Sequence, residues 1–275
     1  ILGIVGNLEG VLEFMRANAI GSQGFYDWIG VDGLSGPAET PTDSWTPDEF
    51  WWWFRATRVI NTFQDGSGID YTIHEFPSFS FILGDLHPHV SAIPFALLFL
   101  GFAWNFYRSP LPNFSRLEIR TYLMAGAMAL SLGGLAFTNM WDLPTYAILL
   151  LGVVALKAYP IYRGRILPIL GAMAQFPMIV IAGAFILFLP YYVTFASSVE
   201  GIGAVETTTR YPHMFIVWGA PMALVGPFIV ASFWQTVVGP DWRRMTLYSL
   251  IIGFLPYAGW MVVRLQSVEV VDGPA

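Results

Sequence analysis

The sequence predicts an all-α fold, a polytopic transmembrane helix bundle with one long loop outside the membrane. Three observations carry this. Only 12% of the residues are charged, about half the share found in soluble domains. The apolar residues, 55% of the chain, collect into runs near the ~20 residues a helix needs to cross a bilayer. Aromatic residues make up 16%, with 11 Trp, and Trp and Tyr settle where membrane meets water.

Six segments have the composition of spans: residues 90–107, 121–138, 143–159, 166–193, 213–235 and 245–263. Residues 1–15 read as the outer part of a seventh, with Glu9 and Glu13 near or beyond the membrane surface. The whole reads as one membrane domain, 1–275, with an external tail at 264–275. The chain opens at Ile1 inside an apolar stretch, with no basic n-region and no cleavage site of the signal-peptide kind. The expectation is a portion of a longer protein. Prolines inside the spans (Pro94, Pro177, Pro221, Pro227 among them) are tolerated where neighbouring helices re-satisfy the freed carbonyls. Ala125, Ala129 and Gly133 recur every four residues, a spacing that lets helices approach closely.

Charge sets the sidedness. With alternating spans, the loops at 108–120, 157–165 and 236–244 share one side. That side carries Arg108, Arg116, Arg120, Lys157, Arg163, Arg165, Arg243 and Arg244 against only Glu118 and Asp241. The other side holds Arg16, Arg55, Arg58, Arg210 and Arg264 against the remaining 17 acidic residues. Short loops rich in Lys and Arg stay in the cytoplasm. A multi-pass protein of the cell membrane follows, with residues 16–89 external. The net charge of −6 argues against a nucleic-acid partner, and the lack of Cys excludes disulfides and thiolate metal sites.

A loop as long as 16–89 should hold elements of its own. Thr46-Pro47-Asp48-Glu49 is a helix start, with a capping Thr, Pro at the first position and Glu to close the box. It predicts an interfacial helix over 47–60, aromatic side down, with Arg55 and Arg58 one turn apart. Those two are candidates for an anionic head group, or snorkel to the nearby carboxylates. Residues 76–83 are apolar but too short to span, which suits a re-entrant or interfacial hairpin.

The chemistry-bearing residues follow. His74, Glu75, Asp85, His87 and His89 lie within 16 residues and hold three of the four His. Pro88 fits a first helical position, so His89 falls in a helix's first turn, where free N–H groups and the dipole favour an anion such as phosphate. Carboxylate plus imidazole also suits a divalent metal: Mg or Mn for oxygen-rich sets, Zn where imidazole dominates. A partly desolvated carboxylate could instead act as a general base. The span at 121–138 returns to the same side, bringing Asn139, Trp141 and Asp142; Asp142 is also a plain helix cap. Arg210 and His213 face that side as well. No P-loop, dinucleotide fingerprint, HExxH or GxSxG pattern occurs.

FWWWFRATRVI at 50–60, IHEFPSFSFILGDLHPHVSAIPF at 73–95 and FTNMWDLPTY at 137–146 closely resemble the YYY-type family of prokaryotic membrane proteins of uncharacterised function. That family is distantly similar to the GT-C superfamily of membrane glycosyltransferases. The resemblance implies a GT-C-like fold and transfer of a sugar from a polyprenyl-phosphate carrier on the external face, often with a divalent metal. It implies Glu75, Asp85 and Asp142 as catalytic carboxylates. Asp85, His87 and His89 would bind metal, and Arg55, Arg58 and Arg210 the carrier phosphate. His74, Asn139, Trp141 and His213 would support them. Two other readings stand beside it. One is a non-catalytic membrane subunit held by partner subunits and membrane lipids. The other is a transporter, weakened because no ionisable residue lies deep in a span.

Overall fold

A computed structural model of the chain describes residues 6–64, 67–110, 118–196, 209–237, 258, 259 and 261. The sixth expected span, 245–263, with Arg243, Arg244 and Arg264, lies almost wholly outside the described residues, as does Arg116. The chain divides into two compact units. One combines Ile1–Leu83 with Val199–Ala275, and the other is Gly84–Ser198.

The second unit is a helical bundle of α4 (Pro88–Arg108), α5 (Ile119–Thr138), α6 (Asp142–Ile161) and α7 (Ile166–Leu187), followed by the short α8 (Leu189–Thr194). Each of the four long helices is long and apolar enough to cross a membrane. The expected single helix over 166–193 is broken at Phe188. Pro190 sits in the first turn of α8, where its missing N–H costs nothing. Otherwise the helix ends fall within two residues of expectation. Phe99, Phe106, Met128, Leu132, Leu150, Val154 and Phe176 form the buried core, with the Phe106 and Phe176 rings stacked at 4.4 Å.

Close approach of α5 to its neighbours depends on small residues. Ala125, Ala129 and Gly133 are all buried on α5. A Cβ on Gly133 would run into the Phe188 ring and the Ala184 carbonyl, and one on Gly134 into Phe95 of α4. Gly133→Val therefore overpacks the interface and lowers stability by about 1–3 kcal/mol. Thermal unfolding in detergent checks this against Gly126→Ala. A Cβ at Gly126 meets open space, so that change leaves the midpoint unchanged or raised.

Lys157 defines the bundle's two ends. From near the C-terminus of α6 its Nζ donates to Phe106 O at 2.6 Å, to Tyr107 O at 3.1 Å and to Ser109 O. It also lies 5.2 Å from the centre of the Phe106 ring. It thus caps the orphan carbonyls of α4 and places the C-termini of α4 and α6 at one end. That end carries Arg108, Arg120, Lys157, Arg163 and Arg165 against Glu118. The opposite end holds the N-termini of α4 and α6, with Asp85 and Asp142.

The first unit contains α1 (Glu9–Ala17), α2 (Gln23–Ile29), a 3-10 helix (Trp52–Thr57), an antiparallel hairpin of β1 (Asn61–Gln64) and β2 (Ser67–Tyr71), α3 (Pro77–Leu83) and α9 (Tyr211–Val237). The hairpin is the departure from an all-α fold among the described residues. Leu12, Tyr26, Ile29, Val31, Leu34, Val59 and Ile216 make its core. One expectation changes here. The interfacial helix over 47–60 contracts to the 3-10 helix. The Thr46 hydroxyl donates to Ser44 Oγ at 3.0 Å, and the aromatic run that follows favours helix weakly. In the apolar start, residues 1–5 lie outside the described residues, and the first described helix begins at Glu9. Glu9 and Glu13, expected near or beyond the membrane surface, are wholly buried within the protein.

Arg210 and His213 close the end of α2. Ser22 Oγ accepts the Phe25 N–H at its start, and Gly30 ends it in the left-handed conformation at φ 63°. Arg210 donates to Trp28 O at 2.6 Å and Ile29 O at 3.2 Å. The buried His213 donates from Nε2 to Ile29 O at 2.8 Å. Residues at the start of α9, the fifth helix long and apolar enough to span, thereby hold a helix that lies 181 residues earlier in the sequence.

Candidate functional site

The residues singled out from the sequence fall into both units. Asp85, His87, His89, Asn139, Trp141 and Asp142 belong to the bundle. His74, Glu75, Arg55, Arg58, Arg210 and His213 belong to the other unit.

At the bundle end, Gly84 turns the chain at φ 64° and Asp85 projects into solvent, its side chain 70% exposed. His87 is the N-cap residue of α4 and accepts the Val90 N–H through its carbonyl at 3.0 Å. Its Nδ1 lies 3.6 Å from Asp85 Oδ2, and its ring centre is 5.7 Å from that of His89. Pro88 occupies the first helical turn, as the sequence implied. Asp142 opens α6, its N–H bonded to Asn139 O at 3.1 Å, with Trp141 exposed beside it. Two helix N-termini, an Asp–His pair and a second Asp therefore share this end. An aromatic cluster flanks it, with Phe137 4.9 Å from Tyr191 and Tyr191 5.1 Å from Phe195. Among the described residues no three His, Asp or Glu side chains converge as a metal-ligand set.

In the other unit the cations are engaged by the chain itself. Arg55 Nε binds Glu13 Oε1, and its Nη2 binds Glu49 Oε2 at 2.8 Å. Arg58 lies over the Phe54 ring at 4.5 Å and donates to the Thr57 hydroxyl. Arg210 is held by the carbonyls of α2, as described. His74 accepts the Val59 N–H at Nε2 (3.3 Å) and donates from Nδ1 to Thr72 O (2.8 Å), which fixes a neutral tautomer. Burial, with Arg58 nearby, holds its pKa below the ordinary imidazole value. Glu75 is half-buried in the stretch before α3.

Sequence reasoning missed the acidic pair on α1. Glu9, Glu13 and Arg16 recur at helical spacing, the one available signal, but the apolar residues around them pointed to a membrane span. Beside α1 lies a cavity of about 300 Å³ walled by Phe14, Trp52, Trp53, Phe76 and Phe79, with Asn7 and Ser78 as polar points. A second, apolar cleft of about 530 Å³ is lined by Leu8, Leu12, Trp28, Phe215 and Ile216 at the start of α9.

Long apolar helices, charged groups gathered at their ends and aromatic residues flanking them define an integral, multi-pass membrane protein. The chain belongs to the uncharacterized membrane protein family DUF2298, whose model matches residues 1–271. No curated protein and no solved structure matches it.

Proposed function

We propose that the protein transfers a sugar from a polyprenyl-phosphate carrier at the end of the bundle where α4 and α6 begin. One observation carries the reading: two helix N-termini share that end with the Asp85–His87 pair and Asp142. Helix N-termini present unpaired N–H groups and positive dipole ends, which suit a phosphate. His87 and His89 supply side-chain donors to it. Asp85 is the general base. It takes the proton of the acceptor hydroxyl as that oxygen bonds to the sugar's anomeric carbon, while the bond from that carbon to the phosphate oxygen breaks and the carrier phosphate leaves. Asp142 orients the acceptor, with Asn139 and Trp141 beside it. Among the described residues no three His, Asp or Glu side chains gather as a metal-ligand set at Asp85 and His87, and no step is assigned to a metal.

The basic residues at the opposite end support a cytoplasmic location for it, and an external one for the reacting end. Glu75 and the arginines of the other unit are secondary candidates, because Arg55 and Arg210 already bind acceptors of their own chain. The test is transfer from a lipid-linked sugar by the purified protein. Asp85→Asn and His89→Ala are expected to cut the rate at least 100-fold, within the usual range for a lost acid–base group, with unfolding midpoints unchanged. Full activity in both variants would overturn the reading.

A further inference from the structure

We propose that Glu9 and Glu13 hold one proton between them inside the first unit, forming a proton-binding site beneath the clamp that joins the 3-10 helix to α1. Both side chains have no exposure to solvent. Among the described residues, Arg55 is the guanidinium bonded to the pair, and of the pair's oxygens it takes Glu13 Oε1. Both oxygens of Glu9 and Oε2 of Glu13 are buried, and among the described residues no donor side chain or backbone N–H reaches them. Two ionised carboxylates cannot bond to each other, since neither has a donor. One proton resolves this. A neutral Glu9 donates its O–H to Glu13 Oε2, and the unit then buries one carboxylate against one guanidinium. Asn7 fixes the geometry: its Oδ1 accepts the Glu9 N–H at 3.1 Å, and its Nδ2 donates to Ala56 O on the 3-10 helix.

The other charged or titratable groups around the pair do not replace the proton. Arg16, on α1, leaves its own buried Nε without a partner, so it does not reach the free oxygens. Glu49, preceding the 3-10 helix, adds negative charge and shares Arg55. Tyr26, on α2, donates its hydroxyl to Ile20 O at 2.8 Å. In agreement, burial first, then the Glu13 charge and hydrogen bond, push Glu9 well above the ordinary carboxylate range, against the pull of Arg55.

The folded state thus binds the proton more tightly than the unfolded chain does. Its contribution to stability is complete at acid pH, falls as pH rises from the ordinary carboxylate range through the raised value, and is flat beyond. Gln at position 9 copies the neutral acid, with an N–H₂ donor for Glu13. Thermal unfolding of the detergent-solubilised chain from about pH 5 to pH 9 is expected to show a falling midpoint in the native protein. Glu9→Gln flattens that fall and leaves the midpoint at the alkaline end equal or higher. Independently, infrared spectra with ¹³C-labelled Glu should show a carboxylic-acid carbonyl band in the native protein at neutral pH, absent in Glu9→Gln. The same fall in both proteins, or no such band in the native one, overturns the proposal. Should Glu9→Gln fail to fold, the native protein's band decides alone.

Discussion

Arg55→Ala lowers the stability of the first unit by about 3–5 kcal/mol, the range for stranding one partner of a buried ion pair. The guanidinium holds the wholly buried Glu13 through Nε and reaches Glu49 through Nη2. Removing it leaves the wholly buried Glu13 carboxyl without its guanidinium partner. Arg55→Lys restores little, because an ammonium cannot present two fixed N–H directions to two carboxylates. Glu49→Gln, at a side chain 51% exposed, changes stability only slightly, as surface pairs do. Chemical denaturation of the three variants in detergent should separate them in that order. Equal effects at Arg55 and Glu49 would mean that Glu13 is not the anchor.

Lys157→Met lowers the stability of the bundle by about 3 kcal/mol. Met fills the same space, so packing is preserved, but Phe106 O, Tyr107 O and Ser109 O lose their donor. Buried carbonyls left unsatisfied cost about 1–3 kcal/mol each, and those nearest the bundle end recover part of this from water. Hydrogen exchange at the last turn of α4 and the unfolding midpoint report the change. An unaltered midpoint would show that water replaces the ammonium fully.

The spans were legible because hydropathy measures what a bilayer requires, a long apolar surface. Residues 121–138 and 143–159 lie inside α5 and α6, and Pro88 opens α4 as its fixed φ implied. What stayed hidden depended on pairing. Nothing local distinguishes a Glu at a membrane surface from a Glu turned inward to meet an arginine 42 positions away, so Glu9 and Glu13 were read as the wet end of a span. The stretch at 47–60 carried a start signal at Thr46–Glu49, but the helix formed is a short 3-10 turn over Trp52–Thr57 with no side-chain cap. The break at Phe188 was visible only as Pro190 within an otherwise continuous apolar run. Of the candidate residues, the spacing brought Asp85, His87 and His89 together. Pairing of Arg55 with nearby carboxylates was one of the two readings offered, whereas the hold of Arg210 on the α2 carbonyls had no local signal.

The capping of α2 has a consequence for how the protein is made. The carbonyls of Trp28 and Ile29 leave the ribosome early, yet Arg210, which satisfies them, follows 181 residues after Ile29. At about 5–20 residues per second, the nascent chain waits roughly 10 to 40 s for that arginine. The entire four-helix bundle is translated in the interval. The first unit can therefore reach its final form only after the bundle has been translated, so a stall before Arg210 leaves the carbonyls of Trp28 and Ile29 without that arginine.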